Sequence, residues 1–230
     1  MGFEERTEQR YRAEMGREYH ESKRSIPEAA YPWVARLRAE KIAGYVKSDA
    51  TVLEYGVGTG WNVAALECGR RIGYDLAGHL EEELRRRGIE FASDLAGVRP
   101  GSVDVAICHH VLEHVADPAK VLEEMRVLLR PGGRLLVFVP FENQRRYRRY
   151  DPAEPNHHLY SWNVQTLANM VAGCGFAVEE AGTGRFGYDR FAAWQAVRLG
   201  LGERGYRLIR RLAHVASPMQ EVRVAASKVQ

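Results

Sequence analysis

The sequence predicts a doubly wound α/β sheet. Short apolar runs alternate with amphipathic ones from residue 51 to residue 140. Strands that alternate with helices pair in parallel through right-handed crossovers. The runs "TVLEYG" and "VDVAICHH" are apolar on both faces, as strands must be when helices cover both sides of a sheet. A glycine-rich turn, "EYGVGTGWN" at 54–62, stands where the first strand hands over to a helical segment.

Each element follows from its local pattern. Residues 3–24 read as a polar helix with Tyr11, Met15 and Tyr19 at four-residue spacing. Two prolines in "SIPEAAYPW" end it, and 33–47 read as a second helix. Residues 1–48 are therefore expected to form a helical lid over a domain at 49–230. The alternation then runs from a strand at 51–56 to a helix at 60–69, and from the strand "RRIGYD" to a helix at 79–87. The strands "IEFASD" and "VDVAICHH" follow, then a helix at 117–130. "PGG" turns the chain into the strand "RLLVFVP". Beyond Pro140 runs a long polar connection, "FENQRRYRRYDPAEPNHHLY", of a length usually reserved for function or disorder. Ser161 is expected to cap the next helix, which closes near Gly175. Late strands at 176–187 and 219–228 predict an antiparallel hairpin at the sheet edge. A helical pair at 190–216 interrupts it.

Composition excludes several classes. No apolar run approaches the ~20 residues that span a bilayer, and the charged N-terminus does not read as a secretory signal. Cys68, Cys108 and Cys174 are scattered and odd in number, which argues for a reduced, cytoplasmic compartment without disulfides. His109, His110 and His114 straddle a strand end and match no compact ligand spacing, so no metal is expected. The net charge of +3 is unevenly spread. The stretch 141–149 carries four Arg against one Glu, and 185–211 carries seven Arg against Asp189 and Glu203. A solvated face and an acidic partner both account for this.

The glycines define a ligand edge. Without a Cβ, glycine lets the chain turn sharply and lets a ligand approach the main chain. Gly56, Gly58 and Gly60 follow a G-x-G-x-G spacing. A dinucleotide fingerprint would need glycine at 61, where Trp61 stands, and no G-K-[ST] phosphate loop is present. Asp75 ends the second strand, nineteen residues after Gly56, where a carboxylate can accept from both hydroxyls of a ribose. Capping of the next helix would also account for it. Asp94, ending the third strand, could accept from an adenine amino group beside Leu95, or could cap.

In order and spacing, "VLEYGVGTG", "GYD", "SDL" and "VDVAICHHVLEHVADPAKVLEEMRVLLRPGGRLLVFVP" resemble a class I S-adenosylmethionine (SAM)-dependent methyltransferase over about residues 50–140. "LEHV", at 112–115, resembles the small-molecule branch, of methyltransferase type 11/12. The resemblance implies a Rossmann-like seven-stranded sheet with the last strand antiparallel. It implies SAM as cofactor and S-adenosylhomocysteine as product. It places Glu54, Gly56, Gly58 and Gly60 along the methionine and ribose, Asp75 and Leu76 at the ribose, Asp94 and Leu95 at the adenine, and His109 against the cofactor after the fourth strand.

Methyl transfer needs an aligned nucleophile and exclusion of water. A hydroxyl acceptor also gains from a base. His157, His158 and Glu142 are the candidate catalytic groups, and Arg145, Arg146 and Tyr19 the candidate acceptor contacts. The expected acceptor is a small molecule, a lipid head group or a glycan-type precursor, with O- or N-methylation. Nucleic acid is not an expected partner, because no RNA-binding module is visible. Methylation of nucleic acid or protein, and a non-catalytic SAM-binding sensor or accessory subunit, remain alternatives. In the 190–216 pair, Leu208, Ile209, Leu212 and Val215 share one side. Arg204, Arg207, Arg210 and Arg211 occupy much of the rest, and Phe191, Trp194 and Leu201 form a second stripe. These stripes pack on the domain or a partner subunit, or rest on an anionic membrane or amphiphilic acceptor.

Overall fold

The computed structural model describes residues 2–23, 25–142, 149–151 and 156–229. Three helices, α1 (Phe3–Gln9), α2 (Ala13–Lys23) and α3 (Tyr31–Glu40), precede the sheet. The first predicted helix is thus two, broken at residues 10–12 with Ala13 at a left-handed φ of 48°. The second starts two residues earlier than predicted and stops at Glu40, before a short 3-10 turn.

The alternation then unfolds as β1 (Thr51–Tyr55), β2 (Arg70–Tyr74), α4 (Glu81–Arg86), β3 (Glu90–Ala92), β4 (Val103–His109), α5 (Pro118–Leu128) and β5 (Leu129–Pro140). It closes with α6 (Val164–Gly173), β6 (Phe176–Arg185), α7 (Asp189–Arg198), α8 (Gly202–Ala216) and β7 (Gln220–Lys228). The seven strands lie in the order β3-β2-β1-β4-β5-β7-β6. β1 to β5 pair in parallel, and β7 runs antiparallel to both β5 and β6. This is the predicted Rossmann-like sheet.

Two predicted details differ. No regular helix forms at 60–69; the segment makes overlapping turns, with Val63 and Ala64 both donating to the Gly60 carbonyl. The chain must bury Trp61 on one side and Val63 and Leu66 on another, and then return to β2 at Arg70. A straight helical cylinder does not serve that path. The cap of α6 is Asn163 rather than Ser161: its side chain accepts from Thr166 N at 2.9 Å. Asp117 caps α5 in the same way, with Pro118 at the first helical position.

Strand alternation sorts the core into two layers. Leu53, Ala106, Cys108, Leu135 and Val137 face α5 and α6, packing with Leu122, Met125, Leu167 and Val171. Val52, Val105, Ile107 and Leu136 face the opposite way, toward Ile42, Leu84 and Ile89. A third cluster joins α3 to the helical pair through Val34, Ala35, Trp61, Ala192, Ala193, Ala196 and Tyr206.

Charge also holds the pair down, by a route the helical pattern does not show. Asp189, buried at the start of α7, accepts from Arg38 Nε at 2.8 Å, Arg210 Nε at 2.6 Å and the Tyr206 hydroxyl at 3.2 Å. Burial works to raise its pKa, but Arg38 and Arg210 outweigh burial and hold it below the usual carboxylate range. Arg207 bridges Glu40 and Glu203. Two of the four arginines of α8 therefore turn inward, while Leu208, Leu212 and Val215 stay exposed.

Candidate functional site

A cavity opens at the carboxyl ends of β1 to β4, the edge where a doubly wound sheet binds ligands. Its walls come from the turns after those strands and from α1 and the residues just beyond it. Gly56, Gly58, Asp75, Leu76, Asp94 and Leu95, all expected at the ligand, line it.

The geometry at Asp75 is specific. Its Oδ2 accepts from Gly58 N at 2.8 Å and its Oδ1 from Ala77 N at 2.9 Å. Two backbone donors thus fix the carboxylate, and each oxygen keeps a lone pair for a further donor. Gly58 takes a φ of 52°, and a Cβ there would project toward His20, at 3.6 Å from its ring. Asp94 accepts from Ala96 N at 2.8 Å, so its predicted capping is real, and its side chain still faces the cavity. Tyr55 and Tyr74 add an aromatic wall, with ring centroids 4.7 Å apart. Six carboxylates (Glu4, Glu8, Asp75, Asp94, Asp117 and Glu124) line the cavity against one ammonium, Lys120, which pairs with Glu4. Such a lining favours a ligand that carries positive charge.

Three residues expected at the ligand stand behind this wall. Glu54 is fully buried and accepts from Asn62 Nδ2 at 2.5 Å. Gly60 is demanded by packing: at its φ of 79° a Cβ would meet Ile89 Cδ1 at 2.5 Å. His109 is placed differently from the expectation. It does not line the cavity; its Nε2 lies 2.7 Å from Lys41 Nζ and 3.4 Å from Glu221. The next residue, His110, turns at a left-handed φ of 57°; its ring stacks on that of His109 at 4.4 Å, and it is His110 that lines the cavity. Burial, then the neighbouring Lys41 and His110, push the His109 pKa well down, so its ring is neutral. Burial likewise draws Lys41 down to about 7, against the upward pull of Glu221.

Two of the three candidate catalytic groups, His158 and Glu142, meet a residue that the sequence offered only as a metal ligand. His158 Nδ1 lies 2.7 Å from Glu142 Oε1, and its ring meets the His114 ring at 4.7 Å, edge to face. His114 lines the cavity, and its Nδ1 lies 3.0 Å from the Tyr11 hydroxyl. Its Nε2 lies 3.7 Å from Glu113 Oε1. The fold thus gathers Tyr11, His114, His158 and the carboxylates of Glu113 and Glu142 into one cluster. His157 takes a φ of 51° and does not line the cavity. Arg145, Arg146 and the Tyr19 side chain lie outside the described residues. Tyr55, Tyr74, His20 and His110 were not singled out as ligand contacts; only their places at strand ends and in α2 would have flagged them.

Folding also changes the outlook for metals. The donor atoms of His109, His110 and Glu221 lie within 4.8 Å of one another, as do those of Glu113, His114 and His158. The first set has the ammonium of Lys41 already against it. In the second, ring nitrogens engage Tyr11 and Glu142, the pattern of a proton relay.

The chain is also similar to known proteins. A methyltransferase-domain family model matches residues 24–181. The ubiquinone biosynthesis O-methyltransferase of Xylella fastidiosa is 35% identical over 102 residues, which cover 39% of this chain and 42% of that protein. The matches to the first four curated relatives span 18 to 42% of those proteins' lengths. Among solved structures, Haemonchus contortus phosphoethanolamine N-methyltransferase 2 with S-adenosyl-L-methionine superposes with a TM-score of 0.58 at 17% identity, covering 86% of this chain and 53% of that one. Geranyl diphosphate C-methyltransferase from Streptomyces coelicolor A3(2) gives a TM-score of 0.57 at 17% identity, covering 85% and 76%. The similar proteins carry names for O-, N- and C-methylation, so the fold does not fix the acceptor atom.

Proposed function

The chain belongs to the methyltransferase-domain family, and from that premise we propose that it transfers the methyl group of SAM to a hydroxyl of a small or amphiphilic acceptor. The cavity supports SAM by its donor set. Asp75 offers one lone pair per oxygen to the two ribose hydroxyls, and the six lining carboxylates suit a cationic ligand. Gly56 and Gly58 leave the main chain open to it, and Asp94 with Leu95 receives the adenine. The cofactor supplies a methyl group already activated on a sulfonium.

One observation carries the choice of a hydroxyl acceptor: the Tyr11 hydroxyl lies 3.0 Å from His114 Nδ1, and both residues line the cavity. The acceptor hydroxyl gives its proton to the Tyr11 oxygen as Tyr11 gives its own to His114 Nδ1. Glu113, 3.7 Å from Nε2, stabilises the imidazolium that forms. His158, held by Glu142, fixes the ring from the side. An amine acceptor would need a lone pair and no such relay. The names of the curated O-methyltransferase relatives agree with this reading.

Labelled SAM, supplied with a panel of phenols and polar alcohols, tests it. Tyr11→Phe and His114→Ala should each lower kcat about 10²-fold or more while SAM binding is retained. Unchanged turnover in both variants removes the relay. Absence of label in every fraction of a cell extract favours a SAM-binding sensor or accessory subunit.

A further inference from the structure

The outer face of the α7–α8 hairpin is inverted relative to an ordinary surface. Its inner side is complete: Ala192, Ala193, Ala196 and Tyr206 pack on α3, and Arg207 and Arg210 are spent on Glu40, Glu203 and Asp189. Its outer side carries the large apolar groups. Trp194 is 50% exposed, Leu212 58% and Val215 74%, with Phe191, Leu201 and Leu208 exposed beside them. Large apolar side chains exposed at helical spacing along both helices of one hairpin mark a candidate interaction site.

Charge decides the occupant. Arg198, Arg204 and Arg211 are exposed and make no ion pair among the described residues. The hairpin's acids, Asp189 and Glu203, are both engaged with arginines on the inner side. A second copy docked face to face would bring these arginines together, which opposes self-association. Exposed Trp and Phe, Leu at helical spacing and unpaired Arg are what an amphipathic helix presents to a lipid head-group layer.

Topology gives the face a purpose. The hairpin leaves the sheet at Arg185 and returns at Gln220, a paired position beside Pro140 and Glu221. It therefore stands at the same edge as the candidate site. We propose that the outer face of α7–α8 docks the protein on an anionic bilayer surface, with the cavity edge toward the lipid. The docking does not depend on which acceptor is methylated.

Flotation with two vesicle types tests it: equal parts phosphatidylcholine and phosphatidylglycerol, and phosphatidylcholine alone. The whole chain should float with the anionic vesicles at low salt, less at high salt, and not with the neutral ones. Each arginine near an anionic surface strengthens binding roughly fivefold, so the triple Arg198→Gln, Arg204→Gln, Arg211→Gln variant should partition about 10²-fold less. Trp194→Ser with Leu212→Ser should also lose binding. Both variants alter exposed side chains, so the melting temperature and SAM affinity should stay near the parent's. No flotation of the parent, or flotation that the triple variant retains, overturns the proposal. So does a parent dimer, seen by sedimentation velocity, that Trp194→Ser with Leu212→Ser dissociates.

Discussion

Replacing Asp75 with Asn separates the two tasks of that carboxylate. Asn keeps the shape and one acceptor oxygen. Its amide nitrogen must then face either Gly58 N, now 2.8 Å from Oδ2, or Ala77 N, now 2.9 Å from Oδ1. Donor meets donor, and one buried N–H loses its partner, at a cost of about 1–3 kcal/mol. In a domain of this size, that lowers the melting temperature by roughly 2–4 °C per kcal/mol. In the proposed binding mode, the ribose then meets a neutral amide in place of the carboxylate. Losing a charge-assisted bond costs about 1.5–3 kcal/mol, or roughly 10- to 150-fold in affinity. Titration calorimetry with S-adenosylhomocysteine, which cannot react, reads the second effect, and thermal unfolding reads the first. Asp75→Ala strips both N–H groups of their partner and should melt lower still. A folded Asn variant that binds S-adenosylhomocysteine as tightly as the parent would refute the assignment of this carboxylate to the ribose.

Gly58→Val should abolish S-adenosylhomocysteine binding while the chain stays folded: the added Cβ finds ordinary contact with His20 but fills the ligand side. The φ of 52° costs it about 1–2 kcal/mol of strain, and retained affinity would show that the ligand lies elsewhere. Asp189→Asn leaves Arg38 and Arg210 buried without a counter-charge and should destabilise by about 3–5 kcal/mol at neutral pH. The folded pKa of Asp189 lies below its unfolded value of 3.8, so its contribution is full above that pH and is lost as pH falls through the folded pKa. Denaturant titrations should therefore show parent and variant converging in acid; a gap that stays constant with pH would refute the charge account.

What the sequence disclosed depended on distance along the chain. The glycine turn and Asp75 were legible because one strand-turn unit and one strand end hold both, and backbone geometry ties them together. The Tyr11–His114 pair was not, because the two stand 103 residues apart and meet only when the N-terminal helices fold over the sheet edge. His109 and His110 show a finer limit. β4 ends at His109, and a left-handed turn at His110, with a φ of 57°, decides which of two stacked rings reaches the cavity. In α8 the helical spacing grouped Leu208, Leu212 and Val215, but Ile209 packs inward, Arg204 and Arg211 share the exposed side, and the spacing could not say which side turns inward. The buried carboxylate of Asp189 decides that, and it belongs to the preceding helix. The missing helix at 60–69 failed for a related reason: Trp61 and Leu66 are claimed by different layers of the core.

The strand order also constrains how the chain is assembled during synthesis. β6 reaches the sheet only through β7, which pairs with β5 on its other side. The ribosome makes β6 and then the whole α7–α8 hairpin before β7 exists. Until β7 emerges, β5 presents an unpaired edge from Arg134 to Pro140, and β6 has no neighbour. The cavity strands β1 to β4 can be complete by then. The nascent protein thus passes through an interval with a formed ligand edge and an open seam beside it. One strand, arriving late, closes that seam on both sides at once.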